Sequence, residues 1–349
     1  MFQKNNYLSG TTSERKNRTY NNIPQIIKSN TARVNAILID TSDISEASFN
    51  PDSNEYLYTA YPAIADELEK NMSKEKPIRL GVETEDEEKI ESLIALNFDF
   101  EGMKNSGLSI SGSERLNSFD RTVLDAITSL CIKGNNKYLT TNMIFHVMAG
   151  RNDKSVSQFY AEEICNSITK LMFSHIIIRD WNNELNDFNI LPANWTRAKL
   201  NGYEADCIHV NGKLSMFVYA DYKSQIHEIE LELVRKTFSK NSRAHKSQME
   251  LLHFLLRKII SLKKPDNSIS YETIYHELGY EDAARKSKFR LRQSAKKILD
   301  SWKGANIESV KLIDCKENKK GNIPCEITII YRKVKKAPYN HYNYYNEYI

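Results

Sequence analysis

No stretch of the sequence reaches the roughly 18 consecutive apolar residues that a membrane-crossing helix requires, so no membrane partner is expected. The opening residues, MFQKNNYLSGTTSERKNRTYNN, hold no apolar stretch of the secretory kind, and a cytoplasmic protein is expected. Cysteine is sparse and badly placed for cross-linking. Cys131, Cys165, Cys207, Cys315 and Cys325 are odd in number, scattered, and free of any C-x-x-C pair. That spacing fits neither a disulfide framework nor a zinc site. It fits reduced, mostly buried thiols. Bulk charge of one sign is missing too: 49 Lys and Arg against 45 Asp and Glu leave a net charge of +4. A histone-like polycation is excluded, while local basic patches remain open.

Catalytic signatures are equally scarce. The histidines are His146, His175, His209, His227, His245, His253, His276 and His341, and no two are one residue apart. The His-x-His metal pair of a nicking enzyme is therefore absent, which leaves Tyr344 and Tyr345 as part of a polar tail. GRNDKS (150–155) resembles the end of a phosphate loop, but Asp153 stands where glycine should precede the lysine, and its carboxylate would repel phosphate. RLGVETEDEEKIE reads as the solvated acidic start of a helix rather than a metal site. No Ser–His–Asp or Cys–His arrangement is legible. No enzyme activity, catalytic residue, metal or cofactor is expected.

What is present is length and order. A chain of 349 residues exceeds one small core and suggests two or three domains. Residues 1–75 are polar and read as a largely flexible arm, with ARVNAILID as one strand and AIADELEKNM as a short helix. Residues 76–117 read as a strand–helix–strand lead-in: PIRLGV, then EDEEKIESLIALNF with Ile90, Leu93 and Ile94 at helical spacing, then SGLSISG. Residues 337–349, APYNHYNYYNEYI, read as a disordered Tyr/Asn tail.

Between them lie two units with one order of elements. In 118–240, SFDRTVLDAITSLCI starts on Ser118 as N-cap and carries Phe119, Val123, Ile127 and Leu130 as its apolar stripe. KYLT is a short extended piece, and TNMIFHVM is a helix capped by Thr140 or Thr141. SVSQFYAEEICNSITKLMF is a third helix burying Phe159, Ile164, Ile168 and Leu171 or Met172, and HIIIRD is a strand. DCIHV, KLSMFVYA and IHEIELELV are strand candidates for a wing and a bridge. In 241–336 the order repeats. SQMELLHFLLRKIISL is an amphipathic helix, NSIS is extended, and YETIYHELG is a helix closed by Gly279. A basic helix and a strand pair around KENKKGNIP follow. The expected fold is α+β, two winged-helix domains in tandem.

The basic helix, EDAARKSKFRLRQSAKKILDSW (281–302), carries Arg285, Lys286, Lys288, Arg290, Arg292, Lys296 and Lys297, with no acid from 285 to 297. At about 100° per residue, Leu291, Ala295, Ile298, Leu299 and Trp302 form a core face. Arg285, Arg292 and Lys296 lie on one flank, and Lys286, Arg290 and Lys297 on the other. Lys288 sits at the edge of the core face, and Phe289 lies between the flanks as a packing residue for a neighbouring helix. An ordinary solvated face mixes signs, because opposite charges at i,i+4 are stabilising and like charges are not. A face with no acid over so many turns suits a polyanion, and the Lys-rich turn that follows (Lys316, Lys319, Lys320) extends it. In the first unit, Arg151, Lys154, Ser155, Ser157 and Gln158 stand at the start of the equivalent helix as further candidates for DNA contact. Ser, Asn and Asp there are equally ordinary caps.

Over roughly residues 105–335 the chain resembles the tandem winged-helix replication initiators of theta-replicating plasmids and related mobile elements. LNSFDRTVLDAITSL, LTTNMIF and NSITKLMFSHIII are similar to that family's first domain, and SISYETIYHELGY before a long basic helix is similar to its second. KKILDSWKGANIESVKLIDCKENKKGNIPCEITIIY is similar to the closing helix and wing. The resemblance implies a sequence-specific double-stranded-DNA-binding protein that binds origin repeats and recruits host replication proteins. Its main reader would be the helix with Arg285, Lys288, Arg290 and Arg292, and its first domain would mediate homodimerisation. A transcriptional regulator of a mobile element using the same fold, a nicking or priming enzyme, and a protein-binding module remain the alternatives.

Overall fold

The computed structural model describes residues 38–40, 56–60, 78–83, 89–110, 116–132, 136–150, 156–179, 185–200, 203–212, 214, 226–237, 246–260, 267–307 and 309–335. Helices and mainly antiparallel strands are mixed along the chain, as an α+β protein requires. Short pieces of the N-terminal arm, expected to be flexible, are strands. β1 (Leu38–Asp40) pairs with β8 (Ala193–Leu200), and β2 (Tyr56–Ala60) pairs with β10 (Ile226–Glu230). The helix expected at 63–72 and the Tyr/Asn tail lie outside the described residues.

The lead-in differs from expectation. Lys89–Phe98 is a strand, β4, not a helix. It pairs with β3 (Ile78–Glu83) on one side and β6 (Ser174–Arg179) on the other, which sets Ile94 opposite both Ile78 and Ile178. Backbone pairing on both sides overrides a local spacing compatible with a helix. β7 (Leu185–Asn189) completes the sheet in the order β3-β4-β6-β7. Helix α1 (Phe100–Asn105) follows, with the Asp99 carboxylate accepting from Gly102 N at 2.8 Å. SGLSISG does not begin as a strand. Gly107 turns at φ 70°, and Leu108 N donates back to Met103 O at 3.2 Å, which closes α1.

α2 (Ser118–Ile132) is capped by Asn117, one residue before the expected Ser118. The Asn117 side chain accepts from the Phe119 and Asp120 amides at 2.9 and 3.0 Å, and the Asp120 carboxylate accepts from Asn117 N at 2.8 Å. This reciprocal box satisfies orphan donors of the first turn. Asp120 also accepts from Ser167 Oγ (2.6 Å) and pairs with the buried Lys170 (3.0 Å), tying α2 to α4 (Gln158–Met172). α3 (Thr141–Ala149) is capped by Thr140 and ends on Gly150 in the left-handed conformation. A Cβ on Gly150 would meet Leu231 O at 2.8 Å, so glycine here allows α3 to approach α5 (Leu231–Thr237). The predicted core residues Phe119, Val123, Ile127, Leu130, Ile164, Ile168 and Leu171 are buried. Phe159 is not: it is 54% exposed, because Tyr160 takes the inward position.

The strand that follows α4 leaves this unit to join β4. The hairpin that returns to it is β8 with β9 (Tyr203–Val210), and β9 pairs with β5 (Tyr138–Leu139). IHEIELELV is not one strand, since it changes at Leu231 into α5. Leu231 and Val234, three apart, are buried there, and α5 packs on α3.

The second unit runs α6 (Lys246–Ile260), β11 (Asn267–Ser270), α7 (Tyr271–Glu277), α8 (Arg285–Ser301), β12 (Asn306–Ile307), β13 (Val310–Lys320) and β14 (Ile323–Lys333). Its sheet order β11-β14-β13-β12 matches the β5-β9-β8 order of the first unit, with the last strand between the other two. α6 has the expected amphipathic spacing and is also buried on nearly every side, because it faces both units. His253 Nε2 lies 3.0 Å from Met148 O, and Arg257 donates to Ser118 Oγ at 2.8 Å and pairs with Asp125 at 3.6 Å. Lys246 pairs with Glu163. Buried apolar residues of both units form one continuous core.

Candidate nucleic-acid interface

α8 is built on one apolar face. Leu291, Ala295, Ile298, Leu299 and the following Trp302 are buried, the five positions the helical spacing picks out. Trp302 Nε1 donates to Leu233 O of α5 at 3.0 Å, which fixes the C-terminal end of the helix to the first unit. Ala284 provides no side-chain cap. The first turn is held instead by Ala284 O, which accepts from the Ser287 and Lys288 amides at 2.8 and 3.1 Å.

Away from that face the seven cations divide into two groups. Arg285, Lys286, Arg290, Lys296 and Lys297 are exposed and form no ion pair with a described residue. Lys288 and Arg292 are half-buried and tied to α7. Lys288 Nζ donates to Glu281 O at 2.5 Å and lies 5.1 Å from the Tyr275 ring centre. Arg292 donates to Tyr275 Oη at 3.2 Å, with its guanidinium 5.8 Å from the Tyr271 ring. Tyr271 Oη in turn donates to Glu317 on β13 at 2.7 Å. Burial, then the Glu317 carboxylate, push the Tyr271 phenol up, so it keeps its proton and its role as donor. These residues brace α7, α8 and β13 into one surface. Sequence reasoning assigned Arg292 and Lys288 to DNA and did not anticipate the two tyrosines, whose i,i+4 spacing on α7 was the available signal.

Of the acids at the helix ends, Asp300 is ion-paired with Lys303 at 2.9 Å, and Lys303 also reaches Asp314 at 2.7 Å. Those two carboxylates raise the Lys303 ammonium, so it stays charged between them. Glu281 lies 3.7 Å from His276.

α8 packs against β13, and the same strand runs out to Lys319 and Lys320. Lys320 faces Ile323 across a two-residue turn with Gly321 at φ 63°, and a bulge at Asn318/Lys319 twists the ribbon. Asn318 Nδ2 fastens the bulge to Glu326 (2.7 Å) and Thr328 (2.8 Å). Lys316, Lys319 and Lys320 are exposed.

Phe289 departs from expectation. It is 51% exposed rather than packed on a neighbouring helix, and its nearest recorded ring contact is the Arg292 guanidinium at 5.9 Å. α7 meets α8 at the Lys288 and Arg292 positions, which leaves Phe289 on the outer face. Gln293, one turn on, is exposed beside it and was not anticipated.

In the first unit, Arg151, Lys154 and Ser155 lie outside the described residues. Ser157 is the N-cap of α4, accepting from Tyr160 N at 3.4 Å. Gln158 donates to Glu162 at 3.0 Å. A carboxylate in the second turn works against phosphate here, in contrast to α8, which carries no acid from 285 to 297.

Burial pushes the thiols of Cys131 and Cys207 up to about 12 and that of Cys165 well above its ordinary value, so all three keep their protons at neutral pH. Among the described residues, no group of three or more His, Cys, Asp or Glu is placed to hold a metal ion. No helix among them is long and apolar enough to cross a membrane. No family model and no curated protein sequence matches the chain.

Proposed function

We propose that this protein binds double-stranded DNA sequence-specifically and acts as a replication initiator of a plasmid or other mobile element, through two winged-helix units. The observation that carries the reading is the outer face of α8. It presents five exposed cations without an intervening acid, held rigidly by a buried face, beside a hairpin that ends in lysines. The shared helix–strand–helix–helix–hairpin order of the two units, with the last strand central in each sheet, supports the winged-helix assignment. Lys and Arg on such a surface neutralise phosphates, and Arg can grip guanine O6 and N7 in the major groove.

Arg290 and Arg292 separate the reading from a merely basic surface. Arg290→Ala removes an exposed guanidinium and should relax discrimination between a selected duplex and a scrambled one. Arg292→Ala removes the brace to Tyr271 and Tyr275, and should weaken binding to both duplexes alike while lowering the melting temperature. Fluorescence anisotropy on both duplexes reads this, and identical behaviour of the two variants would mean that α8 is not the reader. Autonomous replication of a plasmid carrying only this gene and its flanking DNA tests the initiator role. Promoter repression without replication would favour a regulator instead.

A further inference from the structure

We infer that Phe289 and Gln293 are specificity-determining residues that read an A·T pair, Phe289 against the thymine 5-methyl group and Gln293 against adenine. The inference rests on the reading of α8 as a DNA-facing helix.

At about 100° per residue, the buried positions of α8 centre opposite Gln293, and Phe289 lies one turn back on the same ridge. Arg285 and Lys296 flank this ridge on one side, and Lys286, Arg290 and Lys297 on the other. The deepest-reaching part of the face is thus an apolar ring followed by a neutral amide, with cations outside them. The arrangement matches the section of a major groove, where phosphates lie at the rims and base edges at the floor.

Stability gives no reason for a phenylalanine here. The ring is half in water, contributes nothing to the core, and is only a middling helix former, so a Lys or Glu would serve an ordinary surface better. The Arg292 guanidinium, held by Tyr271 and Tyr275, stands beside the ring at 5.9 Å from its centre. An exposed apolar plate suits the thymine methyl, the one apolar group on the major-groove edge, and a Gln amide matches the N6 donor and N7 acceptor of adenine.

The test uses the full chain and a randomised duplex pool. Duplexes that wild-type protein enriches are amplified with either dTTP or dUTP, which changes only the methyl group. Wild type should bind the uracil form about fourfold more weakly for each methyl contacted, the worth of one buried methyl-sized group. Phe289→Ala should bind the thymine form more weakly than wild type and treat both forms alike. Gln293→Ala should enrich a pool with relaxed preference at one adenine position. Phe289 is exposed, so equal melting temperatures are expected for wild type and F289A. Duplex binding with no methyl dependence, or a methyl dependence that survives in F289A, overturns this inference alone. An unchanged consensus in Q293A overturns the role of Gln293. Absence of any duplex binding at low salt overturns the underlying reading of α8 and this inference with it.

Discussion

On the proposed reading, the salt dependence of DNA binding follows from which cations are free. Lys288 and Arg292 are bound to the α7 tyrosines and to Glu281 O, so they contribute little to counterion release. Arg285, Lys286, Arg290, Lys296 and Lys297 are exposed, and Lys316, Lys319 and Lys320 on the hairpin bring the total to eight. Each phosphate neutralised contributes about −0.9 to the slope of log K against log salt, so the slope should fall between about −4.5 and −7. Between about 50 and 200 mM salt the affinity should then drop by about 500- to 20,000-fold. Lys319→Gln with Lys320→Gln should lower the slope by about 1.8 while leaving the ratio between selected and scrambled duplexes intact, because the hairpin end is read here as a phosphate contact. Anisotropy titrations at four or five salt concentrations measure both quantities. A wild-type slope weaker than about −2 would refute the counting, since one or two phosphate contacts do not need this surface. A double variant that keeps the slope and loses the duplex ratio would refute the division of labour between helix and hairpin.

Two further predictions concern the scaffold. Trp302→Ala removes a fully buried indole and its hydrogen bond to Leu233 O; a loss of about 3–5 kcal/mol in urea unfolding is expected, and a loss under about 1 would mean the end of α8 is not anchored as described. Two titratable groups on α6, the buried His253 and the half-buried Glu250, give opposing pH dependences. Burial lowers the His253 imidazole to about 3, so its contribution is complete above the ordinary value of 6.5 and is lost as pH falls toward 3. Burial raises the Glu250 carboxyl from 4.5 to about 7, so the folded state holds its proton more tightly than the unfolded chain does. That contribution is complete below 4.5 and is lost as pH rises through 7. Glu250→Gln should therefore raise the melting temperature relative to wild type at pH 8 and leave it nearly unchanged at pH 4; a difference independent of pH would show that Glu250 does not titrate in the fold.

α8 was legible because one long helix with one core face leaves a single consistent wheel, and charges do not disturb the apolar spacing. Its five core positions matched, while Phe289 turned outward instead of packing. The misreadings have a common origin in contacts distant along the chain. IESLIAL carries apolar residues at spacings that suit either a helix or a strand, and the choice is made by β6, some eighty residues later. IHEIELELV alternates like a strand throughout, yet it turns helical at Leu231, where burying Leu231 and Val234 beside α3 requires a spacing of three. Phe159 stands beside a second aromatic, Tyr160, and Phe289 is a lone aromatic in a polar run; in neither case can composition alone distinguish an inward from an outward ring. The cation count on α8 was visible in the sequence, but the division between braced and free cations depends on Tyr271, Tyr275 and Glu317, which meet only in the fold.

The joint between the units determines how the candidate interface is presented. Two domains on a flexible tether would meet a shared ligand with an effective concentration set by the tether, and would tolerate varied spacing of its halves. This chain differs. α6 sends His253 and Arg257 into the first unit, and α8 ends on Trp302, whose indole is hydrogen-bonded to α5, which itself packs on α3. Breaking any of these exposes a buried polar group as well as apolar surface, so the joint resists bending more than burial alone would predict. The direction in which α8 faces is therefore set by the core of the first unit. On the proposed reading, substituting Arg257 or His253, far from the cationic face, should change DNA binding through the angle at which that face is held rather than through any contact of its own.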